Sequence, residues 1–170
     1  MPLSMHQLSV PVFHQLLESL SVVLDKAEAH CTAANTDPAD LLALRLAPDM
    51  YTLTEQVQRA CFHAGVASAR LAGIEVPDET EDEASFDDLR NRISRTRAFL
   101  DGLTPAQMAA SETSIIEHQT RIGLLTFPGP EYLMHFALPQ FMFHVTTAYD
   151  IIRHAGVAVS KVDFMGSALR

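Results

Sequence analysis

The feature that most constrains this chain is an unbroken alternation of apolar residues at steps of three and four: Met50, Leu53, Val57, Ala60, Ala64, Ala67 and Leu71. That spacing follows the α-helical turn, so these side chains form one stripe along a helix; strand residues would alternate with period two. The stripe predicts a helix from about Asp49 to Ala72, closed by Gly73 in the position after the last helical turn. A helix with one apolar stripe needs other apolar surfaces to bury it.

The chain supplies three comparable segments. From about Leu8 to Cys31, Phe13, Leu17, Leu20, Leu24 and Ala27 repeat the same steps, with Pro11 tolerated only near the helix start. From Ser85, whose partner Asp88 makes a capping box with aspartate in the usual glutamate place, Phe86, Leu89, Ile93, Thr96 and Leu100 form a third stripe, stopped by Asp101-Gly102. The fourth runs from about Glu131 to His154, with a kink expected at Pro139 and an end at Gly156.

Between these, Asp37 and Pro38 read as an N-cap and first helical residue of a short helix to about Leu44, interrupted by Pro48. Ile115, Ile116, Ile122, Leu124 and Phe127 have no helical period, and Pro128-Gly129-Pro130 cuts them off. They predict a short hairpin or an irregular crossover over the end of the helices. Phe164 and Met165 in the tail are available to pack back onto the body. The expectation is an all-α fold: one domain over residues 1–170, a four-helix bundle with a short extra helix and that crossover before the last helix.

Charge narrows the function classes. The net charge of -9 argues against nucleic acid as a partner, since phosphate binding rests on clustered cations. Arg90, Arg92, Arg95 and Arg97 are spread around a helix and read as a solvated face pairing with nearby acids. VPDETEDEASFDD, with seven acidic residues in thirteen, reads as an exposed, mobile connection, and it lacks the central glycine of a calcium loop. Cys31 and Cys61 match no zinc or redox spacing and read as reduced thiols. The N-terminus has no signal-peptide pattern, and no apolar run reaches the roughly 20 residues of a membrane span, so a cytoplasmic protein without membrane partners is expected. Glycine-rich phosphate loops and GxSxG elbows are absent.

Several stretches, VPVFHQLLESLSVVLDKAEAH, LLALRLAPDMYTLTEQVQRA, RISRTRAFLDG and YLMHFALPQFMFHVTTAYDIIRHAGV among them, resemble a bacterial family of uncharacterised function within the DinB/YfiT-like metalloenzyme superfamily. The resemblance runs nearly end to end and is sharpest at RLAPDM and FHVTTAY. It implies an up-down-down-up bundle, often a homodimer. In better-known relatives three histidines hold zinc or nickel, and some relatives are thiol-dependent transferases or hydrolases.

The superfamily pattern places one histidine on the second helix and an HxxxH pair on the last, where positions four apart share a face. This chain has His144 but Ala148 four residues later, and Asp49 and Tyr51 stand where the second-helix histidine is wanted. The site therefore reads as degenerate, short of the three protein ligands usual for catalytic zinc. Three readings of His144 stay open: a core histidine bonded to a carbonyl or to Asp49, a pocket residue beside Asp49, Tyr51 and Thr147, or a ligand for zinc or nickel. Asp49, Gln56 and His63 are spaced by seven and read as a solvated face with a ligand face as the alternative; His14, His30 and His118 read as surface or boundary residues. Two functions follow. One is a small-molecule-binding or interaction protein with a degenerate metal site. The alternative is a metal- or thiol-dependent transferase or hydrolase with its pocket between the second and fourth long helices.

Overall fold

The computed structural model describes residues 3–78, 80–120 and 123–169. The order is α1 (Met5–Ala34), α2 (Pro38–Leu42), α3 (Leu53–Ala72), α4 (Phe86–Asp101), α5 (Pro105–Met108), β1 (Ile115–Thr120), β2 (Gly123–Pro128), α6 (Gly129–Glu131), a π-helical stretch (Tyr132–Ala137), α7 (Leu138–His154) and α8 (Lys161–Met165). The fold is mostly helical rather than purely α, because the crossover is an antiparallel hairpin pairing Ile115 with Pro128 and Thr120 with Gly123. Ile122, read as part of that crossover, lies outside the described residues.

The four apolar stripes meet in one cluster. α1 packs on α4 and α7, and α3 packs on α4 and α7. Phe13, Leu17, Leu24, Leu53, Val57, Ala64, Leu89, Phe141 and Ala148 are essentially inaccessible. Phe13 and Phe141 join α1 to α7 edge to face, their centroids 4.9 Å apart. Among the described residues no helix is long and apolar enough to cross a membrane. Cys31 and Cys61 are buried and form no disulfide with each other.

Local signals set the helix starts, and two starts differ from the expectation. α1 begins at Met5, because Ser4 and Gln7 form a capping box, so Pro11 sits in the helix interior, on an exposed face. α3 begins at Leu53 rather than Asp49: Thr52 and Glu55 cap each other, and Asp49, Met50 and Tyr51 stay in the preceding loop. The disturbance expected at Pro139 takes the form of the π-helical turns just before it. Proline offers no N–H to the carbonyl four residues back and its ring crowds that oxygen, so a wider turn relieves both.

Charge burial corrects two further expectations. The acidic connection is not wholly exposed: the Glu83 side chain is 3% accessible, accepts from Gln58 Nε2 at 2.8 Å and pairs with Arg92 at 2.8 Å. Arg92 is 1% accessible and also donates to the Thr80 carbonyl at 2.7 Å, so it belongs to the interior and not to a solvated face. Arg90 does pair with nearby acids at the surface, Asp25, Glu28 and Asp87. Sequence pattern cannot show this tether, because a long side chain shows its burial only when its partner arrives from another segment.

Candidate functional site

The loop before α3 and one face each of α3 and α7 converge on His144. Of the three readings of that histidine, the observed bond is the one to a carbonyl: the partner is the side-chain carbonyl of Gln56, and Asp49 makes no bond to it. His144 Nδ1 lies 2.7 Å from Gln56 Oε1. The Gln56 amide nitrogen is turned to the Tyr51 carbonyl, 3.4 Å away, which leaves the amide oxygen to accept. Nδ1 therefore carries the proton, and Nε2 is the lone-pair nitrogen. Gln56 is 1% accessible and His144 7%.

His63, almost two helical turns beyond Gln56, stacks its ring on His144, with centroids 5.1 Å apart and planes 8° apart. Burial holds the His63 pKa down to about 3, with His144 and Arg59 adding to the effect. Burial, then Arg59, holds His144 at about 4. Both imidazoles are neutral at pH 7, since burial penalises the charged form.

A cavity of about 220 Å³ opens beside this pair, walled by Asp49, Met50 and Tyr51 from the loop, Gln56 from α3, and Phe143 and His144 from α7. Asp49, Tyr51 and Phe143 are all exposed. Thr147 is not among the walls; it is buried, and its hydroxyl donates to the Phe143 carbonyl at 2.7 Å. A mid-helix threonine satisfies itself in this way without any ligand.

Further along the same stripe of α3, the Arg70 guanidinium donates to Nδ1 of His118 on β1. The Tyr132 hydroxyl lies 3.4 Å from the same nitrogen. His118 is buried rather than a surface residue, with Phe136 4.6 Å from its ring, and burial followed by Arg70 lowers its pKa to about 4. Burial raises the Tyr132 pKa against the opposing influence of Arg70.

The solvated-face reading of Gln56 and His63 is thus corrected. Gln56, His63 and Arg70 recur every seven residues and face α7 and the hairpin. The spacing was a visible signal, but its side of the helix was decided by which neighbours packed there. Among the described residues, no three His, Cys, Asp or Glu side chains gather as a metal-holding group.

The family model described as "Domain of unknown function (DUF1993)" matches residues 5–165. A crystal structure of a DinB family member protein from Shewanella denitrificans superposes with a TM-score of 0.90 at 37% identity, over 95% of this chain and 92% of that one. No curated protein matches the chain.

Proposed function

This chain belongs to the DUF1993 family, and on that premise we propose that it is a DinB-like helical-bundle protein that binds a small molecule beside a degenerate metal site. The up-down-down-up order of its long helices, the single-domain organisation, a homodimer and a cytoplasmic location are parts of the same proposal. Light scattering at micromolar concentration tests the dimer.

The observation that carries the reading is the Gln56–His144 hydrogen bond. It commits one imidazole nitrogen and leaves one neutral acceptor beside an apolar cavity. That cavity, about 220 Å³, lies below the usual 300–1,000 Å³ of drug-sized pockets, so the ligand is a small one. Tyr51 and Phe143 suit an apolar or aromatic body, and Nε2 of His144 suits a hydroxyl or N–H donor.

The donor set does not fit a catalytic zinc or nickel ion. Ala148 occupies the second HxxxH position and is fully buried, so its methyl is part of the core. The two nearby imidazoles lie in parallel planes and do not turn their edges toward one ion. Two such ligands fall short of the usual three.

Binding of phenol, followed by calorimetry, tests the reading together with metal analysis of untagged protein. Saturable phenol binding, weakened about tenfold or more in His144→Ala, with substoichiometric metal supports it. Stoichiometric zinc or nickel that disappears in His144→Ala overturns it.

A second reading, the transferase or hydrolase, draws on one observation: a neutral imidazole beside Asp49 at a cavity wall is a general base in waiting. It would use His144 as the proton acceptor, and Asp49, which shares the cavity without bonding to His144, as an orienting or charge-stabilising group.

A further inference from the structure

A second cavity, of about 330 Å³, lies between α3, α4 and the connection that joins them, and it shares no wall with the His144 site. It is lined by the buried Cys61 and Thr96, by Phe62 and Val66 from α3 and Phe99 from α4, and by Val76 and Pro77 from the connection. The connection is drawn over this space by the buried Glu83–Arg92–Gln58 tether described above.

Charge at the mouth has one sign in excess. Asp78 and Glu81 bring two carboxylates from the connection, and Arg59 brings one guanidinium from α3. Arg59 is already paired with Glu81, and its guanidinium rests 4.8 Å above the Phe62 ring. Asp78 makes no ion pair among the described residues. The Phe62 face thus already accepts a cation, as aromatic rings do through their negative quadrupole. An anion entering here would meet the two rim carboxylates on a chain of net charge -9.

We propose that this cavity is a binding site for a small organic ammonium ion with an apolar, single-ring body. The ring would lie between Phe62, Val66 and Phe99. The ammonium group would sit at the mouth, drawn by Asp78 and competing with Arg59 for Glu81. The volume is at the lower end of ligand pockets, which matches one ring on a short chain.

Calorimetric titration with three probes of one shape tests this: phenethylammonium, phenethyl alcohol and phenylpropionate. Saturable binding of phenethylammonium, about tenfold or more tighter than that of the alcohol and weakened by added salt, is expected. Asp78→Asn and Glu81→Gln change exposed rim side chains and are expected to weaken phenethylammonium severalfold while leaving the alcohol unchanged. Amide shift changes are expected at Val66, Val76 and Phe99. A Val66→Phe variant that fills the cavity is expected to abolish binding; should it fail to fold, the rim variants and the probe series still decide. No saturable binding of phenethylammonium, equal binding of the alcohol, indifference to both rim variants, or shifts centred on Gln56 and His144 would each overturn the proposal.

Discussion

His144 on α7 donates its Nδ1 hydrogen to the amide oxygen of Gln56 on α3 across 2.7 Å. This bond crosses the interface between α3 and α7, the most extensive helix–helix contact in the fold, and it fixes both the orientation and the tautomer of the ring.

Replacing Gln56 by leucine removes the acceptor but keeps the volume. The buried N–H of His144 is then unsatisfied, a cost of about 1–3 kcal/mol. Long-range proton–nitrogen NMR is expected to show the Nδ1–H tautomer in the native protein and a mixture in Gln56→Leu. An unchanged tautomer in the variant would show that Gln56 does not hold the ring.

Two buried imidazoles, His118 and His144, and the half-buried His63 make stability depend on pH in a stated direction. Their folded pKa values, about 3 for His63 and about 4 for His144 and His118, lie below the ordinary value of 6.5. Below pH 6.5 the unfolded chain therefore binds more protons than the folded one, and stability falls as pH falls. The loss begins near pH 6.5 and continues until the folded imidazoles themselves take up protons. Each group contributes a slope of at most about 1.4 kcal/mol per pH unit. Urea midpoints measured from pH 7.5 to 4.5 are expected to decline below 6.5, and the decline is expected to flatten in a His63→Gln, His144→Gln double variant. A flat profile in the native protein contradicts the burial assigned to these rings.

Arg92 and Glu83 form a buried pair, so removing one charge strands the other. Arg92→Met is expected to cost about 3–5 kcal/mol, and adding Glu83→Gln is expected to recover part of that loss. Denaturant unfolding of both single variants and the double variant gives the coupling. Additive losses would mean that the charges do not interact.

Gly129 lies against the backbone of Ser111, and its N–H donates to the Ser114 carbonyl at 3.0 Å. A Cβ at this position would fall on the Ser111 carbonyl oxygen, which is backbone and cannot swing aside. Gly129→Ala is expected to cost about 1–3 kcal/mol or more, lowering the melting temperature by several degrees. Calorimetry checks it; an unchanged melting temperature would mean that the hairpin and π-helical stretch shift freely.

The amino-acid sequence by itself determined the helices, because each carries its own period of apolar residues and most carry their own caps. Gly73 closing α3, Ser85 opening α4 and the aperiodic run before Pro128 were all legible, since a turn, a cap or a break depends on neighbours a few positions away. The early start of α1 and the late start of α3 were also encoded locally, in Ser4 with Gln7 and Thr52 with Glu55, but those boxes were outweighed by the apolar stripes. The polar interior was decided only by the tertiary structure. Gln56, His63 and Arg70 form a regular stripe that suits either water or a buried site, and Arg92 resembles the arginines around it. Which of these polar groups lost its water depended on α7, the hairpin and the acidic connection arriving from far along the chain. A buried polar group is tolerated only where such a distant partner completes its hydrogen bonds, and that pairing has no periodicity to read.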